Sequence, residues 1–289
     1  MKKGFLLLLT AVLIAGAGCA WFVKENSGPR PAGPYPADFD GVSSEEAAKR
    51  VNLVPGSQIE IRKLVNKDGQ MVVDKSDLEN KEGTRIITIK RFAPLYYSNL
   101  NWKLSQNIGD ERQSVAGSIN NLDFNKSHDL FFPAYWPTED IEISDNGGIW
   151  LSKETYQEIT TTKNSTIYFN ILNSLLYDKL SSSPEFSMAI KALEADVSNA
   201  KKTVDTDLVQ AEQEMTDWTL RINGEDVKVQ VIKARNWFGE IVILNNIQNP
   251  LILKLTFDPQ KTENLTQETG LDLLKNLLSY EVVQLDGVQ

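Results

Sequence analysis

Cysteine and histidine are the scarcest reactive residues in this chain of 289 residues, which has one of each, Cys19 and His128. One cysteine excludes an intramolecular disulfide and a zinc site built from several thiolates. One histidine excludes the H-E-x-x-H zinc motif, which needs two, and leaves His128 alone to serve a nucleophilic triad. The chain has no G-x-S-x-G motif, so we interpret His128 as a solvated or capping residue of a loop.

Phosphate-binding and aspartic-protease motifs are missing as well. Neither G-x-x-x-x-G-K-[ST] nor G-x-G-x-x-G occurs in the chain, which excludes the two common glycine-rich phosphate loops. Asp205 and Asp207 flank a threonine, but the glycine of an aspartic-protease D-[ST]-G turn is absent. The sequence therefore predicts no catalytic residue, no cofactor and no metal site.

Basic residues are in the minority. Without Lys2 and Lys3, which belong to the N-terminal segment described below, 28 basic residues stand against 39 acidic ones. This balance argues against nucleic acid and anionic lipid headgroups as partners, because both are bound by a basic face. A hydrophobic content of 41% and a charged content of 24% are ordinary for a folded, water-exposed body.

The first 23 residues carry the clearest signal in the chain. Met1-Lys2-Lys3 precede an uncharged, mostly apolar run from Gly4 to Val23, which is typical of a secretory signal. Three fates stay open: cleavage after Ala15-Gly16-Ala17, lipidation of Cys19 as in a bacterial lipoprotein, or retention as an uncleaved membrane helix. A 20-residue helix rises about 30 Å and spans a bilayer. Lipidation and retention are favoured over secretion, and both attach the chain to a membrane.

Residues 24–42 are predicted to be a tether. Asn26–Pro36 contains four prolines and two glycines, a composition that favours extended polyproline geometry over a packed fold. Together with residues 1–23, the tether predicts an extracytoplasmic, membrane-attached protein, in the periplasm or on the outer surface of a bacterium.

The rest of the chain predicts an α+β fold with an antiparallel, β-rich body. Residues 43–180 form a mostly β portion, residues 181–215 an amphipathic helical middle segment, and residues 216–289 a C-terminal β-meander with a short helix. These portions form either one domain or two, and the length suits both.

Local signals place many of the elements. Ser43 with Glu46 forms a capping box that opens a short helix, and Ser152 opens another. Strands are predicted at Thr84–Ala93 and on both sides of Asn223-Gly224, which is a strong hairpin turn.

Three further segments are interpreted from weaker patterns. Asp145–Gly148 is predicted to join residues 141–144 and 149–151 into a second hairpin. The apolar segment Ile167–Leu180 favours a mostly buried helix. The polar segment 109–125 is not assigned to a helix or a strand.

Apolar residues recur every three or four positions from Phe186 to Met215. This stripe predicts a helix of about 30 residues. The stripe either packs on a sheet of the same chain or pairs with a protein partner or a second copy, as in a coiled coil. Thr203 and Asp205 are poor helix formers and favour a split into two shorter helices.

The densest aromatic patch is Phe131–Pro137, which contains Tyr135 and Trp136. Exposed, these two side chains form a binding patch for a sugar or a protein partner. The competing and favoured interpretation places them in the core.

These observations favour a non-catalytic binding or assembly role for a membrane-tethered extracytoplasmic protein. The alternative is an exported hydrolase that acts on glycans through paired carboxylates, with Tyr135 and Trp136 as its platform. The 39 acidic residues permit such a pair, but the sequence does not identify one.

Overall fold

The computed structural model describes residues 37–67, 70–73, 83–108, 111–171, 184–260 and 270–289. The predicted export segment, with Cys19, lies outside these residues. So does most of the predicted tether. Within the described ranges, no helix is both long enough and apolar enough to cross a membrane.

The described part of the chain contains four α-helices and thirteen strands. The helices are α1 (Ser44–Arg50), α2 (Lys153–Thr162), α3 (Pro184–Ala200) and α4 (Leu271–Leu278). The strands are β1 (Gln58–Lys67), β2 (Gln70–Val73), β3 (Thr84–Ala93), β4 (Tyr97–Ile108), β5 (Glu111–Asp123), β6 (Asp140–Glu142), β7 (Asn164–Thr166), β8 (Leu208–Ala211), β9 (Thr216–Ile222), β10 (Glu225–Arg235), β11 (Gly239–Leu244), β12 (Ile252–Phe257) and β13 (Tyr280–Asp286).

The strands form one mixed sheet in the order β6-β5-β4-β3-β1-β13-β12-β11-β10-β8-β7. Strand β9 pairs with both β10 and β13, so β9 to β13 close into a ring. The β5–β6 and β9–β13 pairs are parallel, whereas the others are antiparallel. Because β13 lies between β1 and β12, the N-terminal and C-terminal portions share one sheet. Their buried apolar side chains also belong to one cluster.

The elements with strong local signals lie where the sequence predicts them. Ser43 caps α1, and its side chain accepts a hydrogen bond from the Glu46 backbone N–H at 3.2 Å. Ser152 caps α2 by accepting from the Thr155 backbone N–H at 3.2 Å. Strand β3 has the predicted bounds. In the C-terminal portion, β9 to β12 form the predicted antiparallel meander.

One prediction in the middle of the chain is wrong, and a segment that the sequence leaves unassigned is a strand. The segment 111–123 is a long strand, β5, although its sequence is polar. Residues 141–151 do not form a hairpin, because β6 pairs in parallel with β5 while Trp150 forms an antiparallel bridge with Leu251. The segments before and after the Asp145–Gly148 turn therefore pair with different parts of the chain and not with each other.

The predicted helix at Ile167–Leu180 is only partly within the described residues. Its described portion is not helical. Tyr168 instead forms a parallel bridge with Asp129, and the Ile167 backbone N–H donates to the Asp207 carbonyl at 2.9 Å. These contacts extend β7 and tie it to the loop that follows β5.

The predicted helix over residues 186–215 is shorter than its apolar pattern suggests. Helix α3 ends at Ala200, and strand β8 occupies part of the remainder. The poor helix formers Thr203 and Asp205 lie in the turn between them. The helical part of the stripe is buried within the chain, as for Phe186, Ile190, Leu193 and Val197. The stripe therefore packs against the protein's own core.

Candidate functional site

Trp136, one of the two residues of the predicted binding patch, is in the core. Its side chain is 4% exposed, and its indole Nε1–H donates to the Phe131 carbonyl at 2.9 Å. Its ring centroid lies 6.4 Å from that of Trp102. Tyr135 is the last residue of the short 3₁₀-helix Pro133–Tyr135. Trp136 thus has no exposed face on which a sugar could stack.

Arg85 lies against the same two indoles. Its guanidinium carbon is 4.6 Å from the ring centroid of Trp102 and 5.6 Å from that of Trp136. Its Nε and Nη1 are buried and have no hydrogen-bond partner among the described residues. Burial lowers the pKa of Arg85 to about 9. The aromatic faces are therefore the main compensation that the structure describes for the buried part of this half-buried guanidinium.

Two carboxylates on neighbouring strands of the sheet are each held by a cation. Arg62 Nη2 lies 3.2 Å from Glu60 Oε1, and Lys254 Nζ lies 3.6 Å from Glu281 Oε2. Burial raises the pKa of Glu281, and the attraction of Lys254 opposes that shift. Both carboxylates form ion pairs within the sheet. These four charged residues therefore need no external ligand to account for their arrangement.

A different cluster brings together one histidine and two carboxylates, at the place where the loop after β5 meets α2. The potential ligand atoms of His128, Glu154 and Glu158 all lie within 4.8 Å of one another. Glu154 and Glu158 are four residues apart on α2 and therefore lie on one face of the helix. The cluster is at the surface, with Glu154 exposed and the other two half-buried.

The loop before His128 is held against the first turn of α2. The backbone N–H groups of Lys153 and Glu154 donate to the carbonyls of Phe124 and Asn125 at 2.8 and 3.1 Å. Since the first N–H groups of a helix have no partner inside it, the loop supplies the acceptors that this turn needs. The Thr155 hydroxyl also donates to the Ser127 carbonyl at 3.1 Å. His128 is thereby placed beside the outer face of α2.

Hydrogen bonds fix the orientation of the His128 ring. Its Nδ1 lies 2.7 Å from the Thr166 carbonyl oxygen. A carbonyl only accepts, so Nδ1 carries the proton in this bond and the neutral ring keeps its lone pair on Nε2. The backbone is held too, because the Tyr168 N–H donates to the His128 carbonyl at 2.9 Å.

The two carboxylates face this histidine without a compensating cation. Glu158 Oε2 accepts a hydrogen bond from the Ser165 hydroxyl at 2.6 Å. Neither Glu154 nor Glu158 forms an ion pair with a lysine or arginine in the part of the chain that the structure describes. One imidazole nitrogen and two carboxylate oxygens within 4.8 Å of one another are the types of ligand atom found in zinc sites, which makes this cluster a candidate metal site.

The sequence-based interpretation missed this cluster. It treated His128 as a solvated or capping loop residue and predicted no metal site. The spacing of Glu154 and Glu158 on a capped helix was visible, but it is also common on solvated helix faces. His128 joins them only because the loop docks on α2 and pairs with the extension of β7, and neither contact has a local sequence signal.

Comparison with known proteins does not add a function, because no protein-family model, no curated protein and no solved structure matches the chain.

Proposed function

We propose that this is a membrane-tethered extracytoplasmic protein with a non-catalytic binding or assembly role. The observation that carries the proposal is the uncharged run from Gly4 to Val23 followed by a tether rich in proline and glycine. The Ala37 backbone N–H donates to the Val288 carbonyl at 3.3 Å, so the tether would join the body beside its C-terminal end.

Binding is favoured over glycan hydrolysis by the position of Trp136. The hydrolase alternative requires an exposed Trp136 indole on which a sugar can stack, whereas the Trp136 side chain is buried. The His128 cluster, by contrast, has accessible donor atoms on a supported scaffold.

The proposal includes a protein partner or a second copy of the chain. The surface proposed for this contact is the outer face of α3 and not its apolar stripe. The apolar stripe of α3 packs inside the chain, so a partner of this helix would meet its outer face. Met188 is an exposed apolar side chain of α3. A partner that contacts this face would cover Met188 and leave the core unchanged.

Cell fractionation tests the tether. We expect the wild-type chain in the membrane fraction after an alkaline carbonate wash, because lipidation and an uncleaved helix both resist it. If the chain is attached by a lipid on Cys19, Cys19→Ser should release or mislocalise it. A chain anchored by an uncleaved helix should stay in the membrane fraction, and Thr10→Ser within the same run is a matched control. A wild-type chain found in the soluble fraction or the medium would contradict the proposal.

A further inference from the structure

We propose that His128, Glu154 and Glu158 form a binding site for a divalent transition-metal ion of the Zn²⁺ class. Imidazole nitrogen combined with carboxylate oxygen is a donor set that Zn²⁺ accepts readily. Ca²⁺ and Mg²⁺ take oxygen ligands almost exclusively, so a site with one of its three donors from histidine selects against them.

The distances in the cluster are close to those that an ion requires. Zn²⁺ binds these donors at about 2.0–2.2 Å, which separates neighbouring ligands of a tetrahedral ion by about 3.4 Å. The donor atoms lie within 4.8 Å of one another, so each pair closes by about 1.4 Å at most to reach that geometry. Rotation of the exposed Glu154 side chain and a small shift of Glu158 supply this movement without a change in the backbone.

The groups behind the donors resemble the outer shell of known metal sites. Metal-binding histidines usually donate their other ring N–H to a carbonyl or carboxylate, and binding carboxylates are usually hydrogen-bonded. Here Thr166 holds Nδ1 of His128, and Ser165 holds Glu158. Both supporting residues belong to β7. This strand therefore orients His128 and Glu158 through hydrogen bonds, and Ser165 is a positioning residue of the site.

Bound metal would also relieve an unfavourable charge arrangement. Two like charges four residues apart on a helix repel each other, and the described residues supply no cation that pairs with them. A divalent ion neutralises both. Three protein donors leave a fourth tetrahedral position for water or for a donor atom of another molecule.

The metal site does not rest on the membrane tether, so the two proposals can fail separately. The test is calorimetric titration of Zn²⁺ into the full-length chain in detergent, purified without a histidine tag and stripped of metal by a chelator. The titration is repeated in excess Mg²⁺ and Ca²⁺.

We expect one Zn²⁺ per chain, with affinity unchanged by the competing ions. His128→Asn and Glu158→Gln should each weaken binding by about 100-fold or more, and Ser165→Ala by about 10-fold. His128→Asn keeps an N–H donor near the position of Nδ1 and removes Nε2, so it separates metal binding from the support of the loop. Glu154→Gln changes an exposed side chain and should weaken binding while the fold stays intact.

Glu225→Gln is the matched control, because it makes the same chemical change at an exposed position in the β9–β10 turn region. It should bind Zn²⁺ as the wild type does, and circular dichroism should show that every variant is folded. The proposal is overturned if the wild type shows no saturable binding, if Glu154→Gln and His128→Asn bind as tightly as Glu225→Gln, or if Mg²⁺ or Ca²⁺ displaces the bound Zn²⁺.

Discussion

Arg85 places a cation beside the indoles of Trp102 and Trp136. Cation–π contacts with desolvated aromatic rings contribute about 2 kcal/mol. The effective cost of removing a charge from water is several kcal/mol, and two nitrogens of this guanidinium are buried without a described hydrogen-bond partner. The lowered pKa, about 9, has the same cause. At this residue we expect the cost of desolvation to exceed the attraction of the two rings.

Replacement of Arg85 by methionine is therefore expected to stabilise the fold. Arg85→Met keeps a long, flexible side chain between the indoles and should raise the free energy of unfolding by about 1–3 kcal/mol. Urea denaturation measures the change. Arg91→Met is a matched control, since Arg91 is exposed and stacks on Tyr97 at 5.1 Å, and its effect should stay within about 0.5 kcal/mol. A clear loss of stability in Arg85→Met would mean that the cation is a net stabilising group.

His128 shows why a site made of few residues is difficult to find from sequence. A lone histidine in a polar loop and two glutamates on a helix are each common. The ring becomes a candidate ligand through the Nδ1–Thr166 contact and the docking of residues 124–127 on α2. Both contacts join segments that are distant in the chain, and composition and periodicity contain no information about them.

Helix α3 allows a direct comparison between the helix predicted from the apolar pattern and the helix in the structure. The pattern correctly identifies a helix with one buried face, and Leu193 is fully buried on it. It overstates the length, because β8 continues the apolar spacing after the helix has ended at Ala200. Strand and helix spacing cannot be distinguished over so short a segment.

A charge placed on the buried face of α3 should unfold the protein. Leu193→Asp puts a carboxylate where no water reaches, and the cost of several kcal/mol is comparable with the whole stability of a typical domain. Near-ultraviolet circular dichroism should show loss of fixed aromatic packing, while Lys191→Asp, on the exposed face of the same helix, should stay folded. A folded Leu193→Asp chain that changes only its oligomeric state would instead identify the stripe as an interface.

The other elements also differ in whether a local sequence signal or a distant pairing partner determines them. Helix caps at Ser43 and Ser152 and the Asn223-Gly224 turn are read from a few adjacent residues, and all three were predicted. Strands β5 and β6 depend on partners, since a polar strand is stabilised by the backbone hydrogen bonds of its neighbours. The parallel β5–β6 pair therefore replaced the predicted hairpin.

On the scale of the whole molecule, the sequence predicted a β-rich fold with helices and a C-terminal meander. It did not predict that one sheet unites the two portions. That continuity depends on β13, which comes last in the chain and yet pairs with β1 over Gln58–Lys63. Such a pairing is decided by the shape and burial of the complete core, which has residues from both portions.

We propose that this chain is a binding protein attached to a membrane through its N-terminal segment. Native mass spectrometry of the chain after gentle detergent extraction from its own membranes tests that claim most directly. We predict a chain that retains its N-terminal lipid or apolar segment and carries one transition-metal ion, a companion protein, or both. A chain that is alone and metal-free, has no N-terminal lipid and begins after Ala17 would contradict the claim.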